Sequence, residues 1–474
     1  MQLNQHQLSA VEAPVDKPIK ISAGAGTGKT TVLAHRYLKL LELGYSPENI
    51  LALTFTRKAA ASMRVKVFEK MNRPHDISRT QIFNFDAFFL AVLTSNALES
   101  HFDGSRKILT GTEQEQFLEK ALRQVGKEVD LPPISLSRAM KHLKNAFKAA
   151  DEARLQLLDD SEFADAITSD PPEFATLAAL IYRRYRELLD EENAADFHEI
   201  SLRCYQLLRN QPELREELNR KYRYILIDEV QDTNPAQFKL ISLIADEGWT
   251  NVTAVGDDKQ SIYGFRGADL ENLRRFPGEV VPLKINYRSL QPVLDLGQRF
   301  ITEDEYFRAQ AEEIKLQADR GYPPENEPAI FARIAPSPED EAEFVASEVV
   351  KLLQSGIEPG EIALLSRAKA SLELFEKSFR RANIPFRTVK GGYYERQEVK
   401  DMLALMKLTV DPDSNEGLMR LRLRGLVENP LPDNENFRRE VLSLPIADAL
   451  TRIIVDAGYL QFASRTNSPE QAEA

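Results

Sequence analysis

An apolar run, a glycine-rich turn and a helical pattern follow one another near the start of the chain. The run is residues 19–21 (IKI) and the turn is residues 22–30 (SAGAGTGKT). Glycines at 24, 26 and 28 let successive backbone N–H groups converge on one anion, and the helix that follows adds its positive dipole end. The lysine of such a loop reaches the β- and γ-phosphates, and the next hydroxyl ligates Mg²⁺. The sequence therefore predicts an α/β domain that binds ATP or GTP through Lys29 and Thr30.

A second apolar run ends in two carboxylates, in residues 224–229 (YILIDE). Such a run is typical of a buried parallel strand, and open α/β sheets place ligands at the carboxyl ends of their strands. Asp228 is predicted to hold Mg²⁺, and Glu229 to orient and deprotonate the water that attacks the γ-phosphate. Together with the phosphate loop, this pair indicates a nucleotide hydrolase.

Composition limits the class of protein. At 474 residues, more than one domain is expected. A net charge of −12 excludes a global basic field, so nucleic-acid binding would depend on local groove residues and stacking. A single cysteine, Cys204, excludes an internal disulfide and a four-cysteine metal site. With no signal-like N-terminus and no apolar run of membrane-spanning length, a soluble cytoplasmic protein is expected.

Four short apolar runs separated by helical patterns predict one parallel sheet: 19–21, 50–55, 224–227 and 252–255. A second α/β block is predicted to begin near Val280, with three strands at 281–285, 329–334 and 362–366. The expected segments are an ATP-binding core, a helical insertion, the first half of a second α/β domain, and a helical segment with a polar tail. Their bounds are 1–95 with 191–279, 96–190, 280–390 and 391–474.

Several further segments resemble motifs of the UvrD/Rep/PcrA group of superfamily 1 DNA helicases, in the order of that family. They are residues 3–11 (Q motif), 53–60 (Ia), 228–232 (DEVQD), 255–268 (III), 284–289 (IV) and 391–401 (the start of the 2B insertion). The resemblance implies an α/β fold with a RecA-like P-loop NTPase core, a parallel sheet flanked by helices. It also implies an all-helical insertion, 1B, and a second, incomplete RecA-like domain, 2A.

The resemblance assigns roles around ATP and Mg²⁺. The catalytic groups would be Lys29, Glu229, Gln260 as γ-phosphate sensor and Arg288 as an arginine finger. Thr30 and Asp228 would hold Mg²⁺. The nucleotide would be bound by the Q motif, the phosphate loop, its helix and motif IV, through Gln7, Ala23, Gly24, Ala25, Gly26, Thr27, Gly28, Lys29, Thr30, Thr31, Arg36 and Tyr287.

The resemblance also implies contacts with single-stranded DNA and with junctions between single and double strands. The DNA-binding residues would be Thr54, Phe55, Thr56, Arg57, Tyr263, Phe265, Arg266 and Arg367. Motif III would couple the two ligands, because Gln260 lies three and five residues before the aromatic rings at 263 and 265. Without the resemblance, those two rings are better interpreted as core aromatics.

The chain departs from the family pattern in three places, and the first is Phe265, which stands where the family commonly has tryptophan. Residues 84–88 (NFDAF) replace the TFHSF-like motif Ib, and no segment resembles motif V or motif VI, which carries a second catalytic arginine. The chain is therefore interpreted as the N-terminal part of a longer helicase, or a naturally shortened one, that binds Mg-ATP and hydrolyses it slowly.

Three functions are compatible with these patterns. The first is an ATP-dependent 3′→5′ DNA translocase and helicase in repair or replication restart, acting as a monomer or weak dimer. The second is the motor subunit of a helicase–nuclease or phage-defence system with a nuclease partner. The third is a degenerate, ATP-gated DNA-binding module.

Overall fold

A computed structural model describes most of the chain. The described residues are 3–70, 78–102, 104–109, 111–128, 173–264, 267–313, 315–324, 328–368, 371–388, 397–411 and 435–459. The chain divides into two compact units, Met1–Phe331 and Ala332–Ala474. The predicted polar tail at 466–474 and most of the 391–401 segment lie outside the described residues.

Ten strands occur in the described residues. They are β1 (Ile19–Ala23), β2 (Ile50–Thr54), β3 (Gln81–Asn84), β4 (Lys107–Ile108), β5 (Ala194–Ala195), β6 (Tyr224–Ile227), β7 (Val252–Gly256), β8 (Glu279–Leu283), β9 (Ile285–Asn286) and β10 (Gln317–Ala318). Six of them form one parallel sheet in the order β3-β2-β6-β7-β1-β8. The prediction that the four apolar runs share a parallel sheet is confirmed.

Helices cover both faces of this sheet. In chain order the helices of the first unit are α1 (Gln5–Val11), α2 (Lys29–Glu42), α3 (Arg57–Lys70), α4 (Phe85–Ser95), α5 (Ala97–Ser100), α6 (Gly111–Glu128), α7 (Glu173–Glu191), α8 (Phe197–Asn210), α9 (Pro212–Lys221), α10 (Pro235–Ile244), α11 (Leu270–Arg275), α12 (Gln291–Ile301) and α13 (Glu305–Arg308). Alternate residues of β2 enter two separate apolar layers: Leu51 and Leu53 pack with α4 and α8, whereas Ile50 and Ala52 pack with α2 and α3. Burial on both faces explains why these strands are continuously apolar.

The strand predicted at 281–285 belongs to this first sheet. It runs Glu279–Leu283 as β8 and pairs in parallel with β1, where Val281 lies opposite Ile21. The placement of this strand in the second α/β block is therefore wrong, because an apolar pattern indicates a strand but not the strand it pairs with. The division of the chain into four functional segments stays a prediction.

Two other predicted strands, 329–334 and 362–366, have no strand pairing among the described residues. Ile362 and Leu364 pack against a helical cluster of the second unit, while Leu365, which alternates with them, is 91% exposed. The period-two pattern of 362–366 therefore reflects packing on helices without a hydrogen-bonded ladder, whereas Ile330, Phe331 and Ile334 of the other run are exposed.

The predicted insertion, 96–190, contains α5, α6 and α7 among its described residues, together with the short strand β4, which pairs with β5. Helices α6 and α7 pack against each other. Within α7, the Tyr185 hydroxyl donates to Asp196 Oδ2 over 2.8 Å. Buried Glu199 forms ion pairs with Arg186 and Arg203. These contacts tie the helical segment to α8 of the core.

The second unit contains five helices in its described residues: α14 (Pro338–Gln354), α15 (Leu372–Arg381), α16 (Gln397–Val410), α17 (Glu435–Ser443) and α18 (Ile446–Asp456). Helices α14 and α15 pack around Val349 and Phe379, and α16 to α18 pack around Leu405 and Val441. Across the described part of both units, no helix combines the length and the apolar character needed to cross a membrane.

Candidate active site

The phosphate loop joins β1 to α2. Gly26 and Gly28 have φ angles of +78° and +91°, a left-handed conformation that glycine adopts without a steric penalty. Gly28 is the N-cap of α2, so no capping side chain competes for the N–H groups of the first helical turn. These N–H groups can therefore bind an anion, as the sequence predicts.

The helix of the Q motif, α1, is fastened to this loop. Asn4 and Gln7 form a capping box: Gln7 N donates to Asn4 Oδ1 over 2.8 Å, and Asn4 N donates to Gln7 Oε1 over 3.2 Å. Gln7 Nε2 also donates to the carbonyl oxygen of Thr27 over 3.0 Å. Gln7 is 4% exposed and fixes the loop to α1. Recognition of adenine by this amide stays a prediction.

Arg36 is a structural residue, and its predicted contact with the nucleotide is wrong. The side chain is fully buried. Its guanidinium donates to the carbonyl oxygens of Val11, Ala13 and Pro14 and to the hydroxyl of Tyr224. Because the two terminal nitrogens bond to groups away from the loop, Arg36 braces the chain between α1 and β1.

Replacement of Arg36 by alanine is expected to lower the free energy of unfolding by about 3 kcal/mol, because buried carbonyls lose charged donors. Urea unfolding followed by the fluorescence of Trp249, the single tryptophan, measures this. That ring packs on Phe238 and Phe276 in the core of the first unit. Arg275→Ala, whose side chain is 76% exposed, is the matched control. Equal unfolding midpoints for the two variants would refute the structural role.

The carboxylates follow β6. Asp228 is buried, and its Oδ1 accepts the N–H of Glu229 over 3.1 Å. Glu229 has a φ of +52°, a conformation that costs a non-glycine residue about 1 kcal/mol or more. Burial, and then the neighbouring charge of Glu229, raise the pKa of Asp228 to about 7. The same two causes raise the pKa of Asp232 to about 6.

The two residues predicted to hold Mg²⁺, Thr30 and Asp228, have side chains that fit this ion. The Asp228 carboxylate and the Thr30 hydroxyl are hard oxygen ligands of the kind that Mg²⁺ prefers. A carboxylate as buried as Asp228 needs a nearby cation to stay ionised, and a divalent ion would supply that charge.

Three of the four predicted catalytic residues meet at one point. Lys29 Nζ lies 2.6 Å from Glu229 Oε2 and 3.4 Å from Gln260 Oε1. Gln231 Nε2 donates to Glu229 Oε2 over 2.9 Å, and Gln231 Oε1 accepts the N–H of Asp257 over 3.0 Å. Gln260 Nε2 donates to Asp257 Oδ2 over 2.5 Å. The ends of β6 and β7 are thus joined through side-chain amides.

Sequence reasoning assigned no role to Gln231. Its amide links the candidate general base to the segment that carries Gln260. Gly256, at the end of β7, leaves room for it, since a Cβ there would lie 2.8 Å from Gln231 Oε1. The sequence does show a glutamine in the 228–232 motif. Its hydrogen-bond partners could be identified only from the fold.

Motif IV lies against the phosphate loop. Tyr287 N donates to the carbonyl oxygen of Gly26 over 2.9 Å, and the Tyr287 hydroxyl accepts from Asn4 Nδ2 over 2.7 Å. Arg288 is exposed, and its Cβ would be 2.7 Å from a Cβ placed on Gly26. The structure therefore brings the predicted adenine-stacking ring and arginine finger to the edge of the loop.

Comparison with known proteins agrees with this architecture. Residues 3–280 match the model of the UvrD/REP helicase N-terminal domain. This chain belongs to the UvrD/REP helicase family. Residues 281–446 match the UvrD-like helicase C-terminal domain. The resemblance to this family is thus confirmed, as is the α/β fold with a RecA-like P-loop core.

The chain is similar to ATP-dependent DNA helicases PcrA of Staphylococcus epidermidis and Staphylococcus aureus, with 30% identity over 429 residues in each case. The aligned region covers 88% of this chain and 55% of each relative. The chain therefore spans about half the length of these curated relatives.

The UvrD-like motif Ia and motif III meet through two aromatic rings. The ring centroids of Phe55 and Tyr263 are 5.2 Å apart, with 38° between the ring planes. Thr56 and Arg57 are exposed at the start of α3. Thr54 is fully buried and its hydroxyl donates to the carbonyl oxygen of Thr56, so the predicted DNA contact of that hydroxyl is wrong.

The other three predicted DNA-binding residues are Phe265, Arg266 and Arg367. Phe265 and Arg266 fall outside the described residues. Arg367 belongs to the second unit, where it is exposed. Their roles stay predictions.

Proposed function

We propose that this UvrD-like chain couples Mg-ATP hydrolysis to 3′→5′ movement along single-stranded DNA and to unwinding at junctions, in DNA repair or replication restart. The observation that carries the proposal is the contact of Lys29 with both Glu229 and Gln260. Gln260 lies three residues before Tyr263, which packs on Phe55. One short segment thus touches the hydrolytic site and a candidate base-stacking surface.

Before hydrolysis, the phosphates of ATP compete with the Glu229 carboxylate for the Lys29 ammonium. Once Lys29 pairs with phosphate oxygens, Glu229 can accept the proton of the attacking water. Mg²⁺ held by Thr30 and Asp228 would neutralise charge that develops on the phosphates. Arg288 adds a further positive charge at the edge of the loop. Because the sequence offers no segment resembling motif VI, we infer slow turnover by this chain.

The coupling runs through hydrogen bonds around motif III. Asn272 Nδ2 of α11 donates to the carbonyl oxygen of Thr233 over 3.0 Å, and Asp269 N donates to the same oxygen over 2.9 Å. At the other end of motif III, Asp257 N donates to Gln231 Oε1, so both ends of the segment are attached to the loop that follows β6. A shift of Gln260 on nucleotide binding would then be passed to Tyr263 and its stacked partner.

Loss of the aromatic surface is expected to weaken DNA binding. Stacking on an aromatic ring contributes about 1–3 kcal/mol per base, so Tyr263→Ala should raise the Kd for an oligo-dT strand about tenfold. Fluorescence anisotropy measures this. Tyr322→Ala, which removes a ring that is 70% exposed elsewhere in the first unit, is the control. Unchanged affinity in the Tyr263 variant would remove this ring from the DNA surface.

Direction and unwinding are tested on duplexes with one single-stranded tail. The proposal expects ATP-dependent strand separation with a 3′ tail and none with a 5′ tail. Separation from the 5′ tail would contradict the polarity. DNA binding without any ATP-dependent separation would favour a gated DNA-binding module. The proposed site of action is the cytoplasm, where the DNA substrate would be met.

A further inference from the structure

Asn286 holds two parts of the candidate site with one buried side chain. It is 1% exposed, at the end of β9. Its Nδ2 donates to the carbonyl oxygen of Ala25 over 2.5 Å. Its Oδ1 accepts the N–H groups of Arg288, over 2.9 Å, and Ser289, over 2.7 Å. The amide therefore connects the phosphate loop to the turn that carries the arginine.

The Oδ1 and Nδ2 atoms of Asn286 fix different parts of the site. The bonds from Oδ1 to two successive N–H groups form a turn of the kind asparagine favours, which sets the backbone at Arg288. The bond from Nδ2 sets where that turn lies relative to the loop. Tyr287 N, which donates to the carbonyl oxygen of Gly26, adds a parallel backbone bond.

The side of this turn that faces β10 is also held by hydrogen bonds. Asn286 pairs with Ala318 of β10. Gln291, at the start of α12, accepts from Ala318 N over 2.8 Å and donates to the carbonyl oxygen of Leu316 over 3.2 Å. Leu316 lies over Gly24, where a Cβ would come within 2.7 Å of its Cδ1. The turn is thus fixed from both sides, with Asn286 as its inner support.

We propose that Asn286 is a positioning residue that sets the distance between Arg288 and the γ-phosphate. The inference rests on the proposed function, because it requires ATP hydrolysis assisted by Arg288. Arg288 is exposed and has a long side chain, so the orientation of its backbone decides where the guanidinium can reach. Misplacement of a catalytic group by about 1 Å can cost on the order of 100-fold in rate.

A double-mutant cycle on kcat tests the proposal in the full chain. Asn286→Ala is expected to lower kcat about tenfold or more with a smaller change in the KM for ATP. In an Arg288→Ala background the same replacement should change kcat less than about twofold, because there is no guanidinium left to position. Losses that multiply in the double variant would overturn the positioning role.

A second variant covers loss of folding. Asn286→Asp keeps an oxygen acceptor for the N–H groups of Arg288 and Ser289 but loses the donor to Ala25. It should also lower kcat, again without further effect in the Arg288→Ala background. A direct effect of the new charge on the phosphates would persist in that background and would overturn the proposal.

The same assay separates this inference from the proposed function. Hydrolysis by the unmodified chain is measured against Lys29→Ala as the blank. No hydrolysis above the blank would overturn the proposed function and this inference with it. Hydrolysis above the blank, with multiplicative losses in the cycle, would overturn the positioning role of Asn286 alone.

Discussion

Replacement of Glu229 by glutamine is expected to reduce the rate of ATP hydrolysis about 10²–10⁴-fold, the range typical of a lost general base. ATP binding should persist, because glutamine keeps the shape of the side chain and Lys29 is then no longer paired with a carboxylate. Single-turnover hydrolysis and the binding of a fluorescent ATP analogue measure the two effects separately.

The matched control is Glu217→Gln, on the exposed face of α9 in the same unit. It removes the same negative charge at a position that is distant in sequence from the phosphate loop. ATP hydrolysis should therefore be unchanged. If Glu229→Gln hydrolyses ATP as fast as the unmodified chain, the assignment of Glu229 as the base is wrong. If both variants are equally slow, net charge and not the site is responsible.

Replacement of Gly26 by alanine is expected to weaken ATP binding about 10–100-fold, a loss of about 1–3 kcal/mol. Two effects add. The φ of +78° disfavours any residue with a Cβ. The new atom would also lie 2.7 Å from Arg288 Cβ and 2.8 Å from Asn286 Nδ2, so motif IV would have to move off the loop.

Gly297→Ala is the control for this change. Gly297 lies within α12, and a Cβ there meets nothing within 4 Å. Alanine should be neutral or slightly stabilising at that position, since glycine is unfavourable inside a helix. Equal ATP affinity in the Gly26 and Gly297 variants would contradict the close packing of motif IV on the phosphate loop.

The sequence could predict the parts of the fold that local pattern determines. A parallel strand buried on both faces must be apolar throughout, and the runs at 50–55 and 224–227 showed this. Ligand groups at the carboxyl ends of neighbouring strands must converge, which is why Lys29, Glu229 and Gln260 meet, while their catalytic roles stay predictions.

What the sequence could not predict depends on contacts between distant segments. The apolar run in β8 does not reveal that its neighbour is β1. Arg36 follows the phosphate loop in the sequence, where a phosphate ligand could be expected. In the fold its guanidinium instead donates to backbone carbonyl oxygens of the segment before β1. The sequence assigned no role to Asn286, because its bond to Ala25, 261 positions away, depends on the fold.

One DNA-binding prediction was wrong for a related reason. The resemblance to motif Ia assigned Thr54 to DNA, but its position in the sheet buries it completely. Without the resemblance, Tyr263 is better interpreted as a core aromatic. Its packing on Phe55 places the two rings together, and their contact with bases stays a prediction.

The most direct test of the account is steady-state ATP hydrolysis by the 474-residue chain, with and without an oligo-dT strand and with Lys29→Ala as the blank. The account predicts hydrolysis that rises with DNA and is abolished in the Lys29 variant, even if turnover is slow. The same rate with and without DNA, or a rate insensitive to Lys29→Ala, would contradict the coupling of this site to single-stranded DNA.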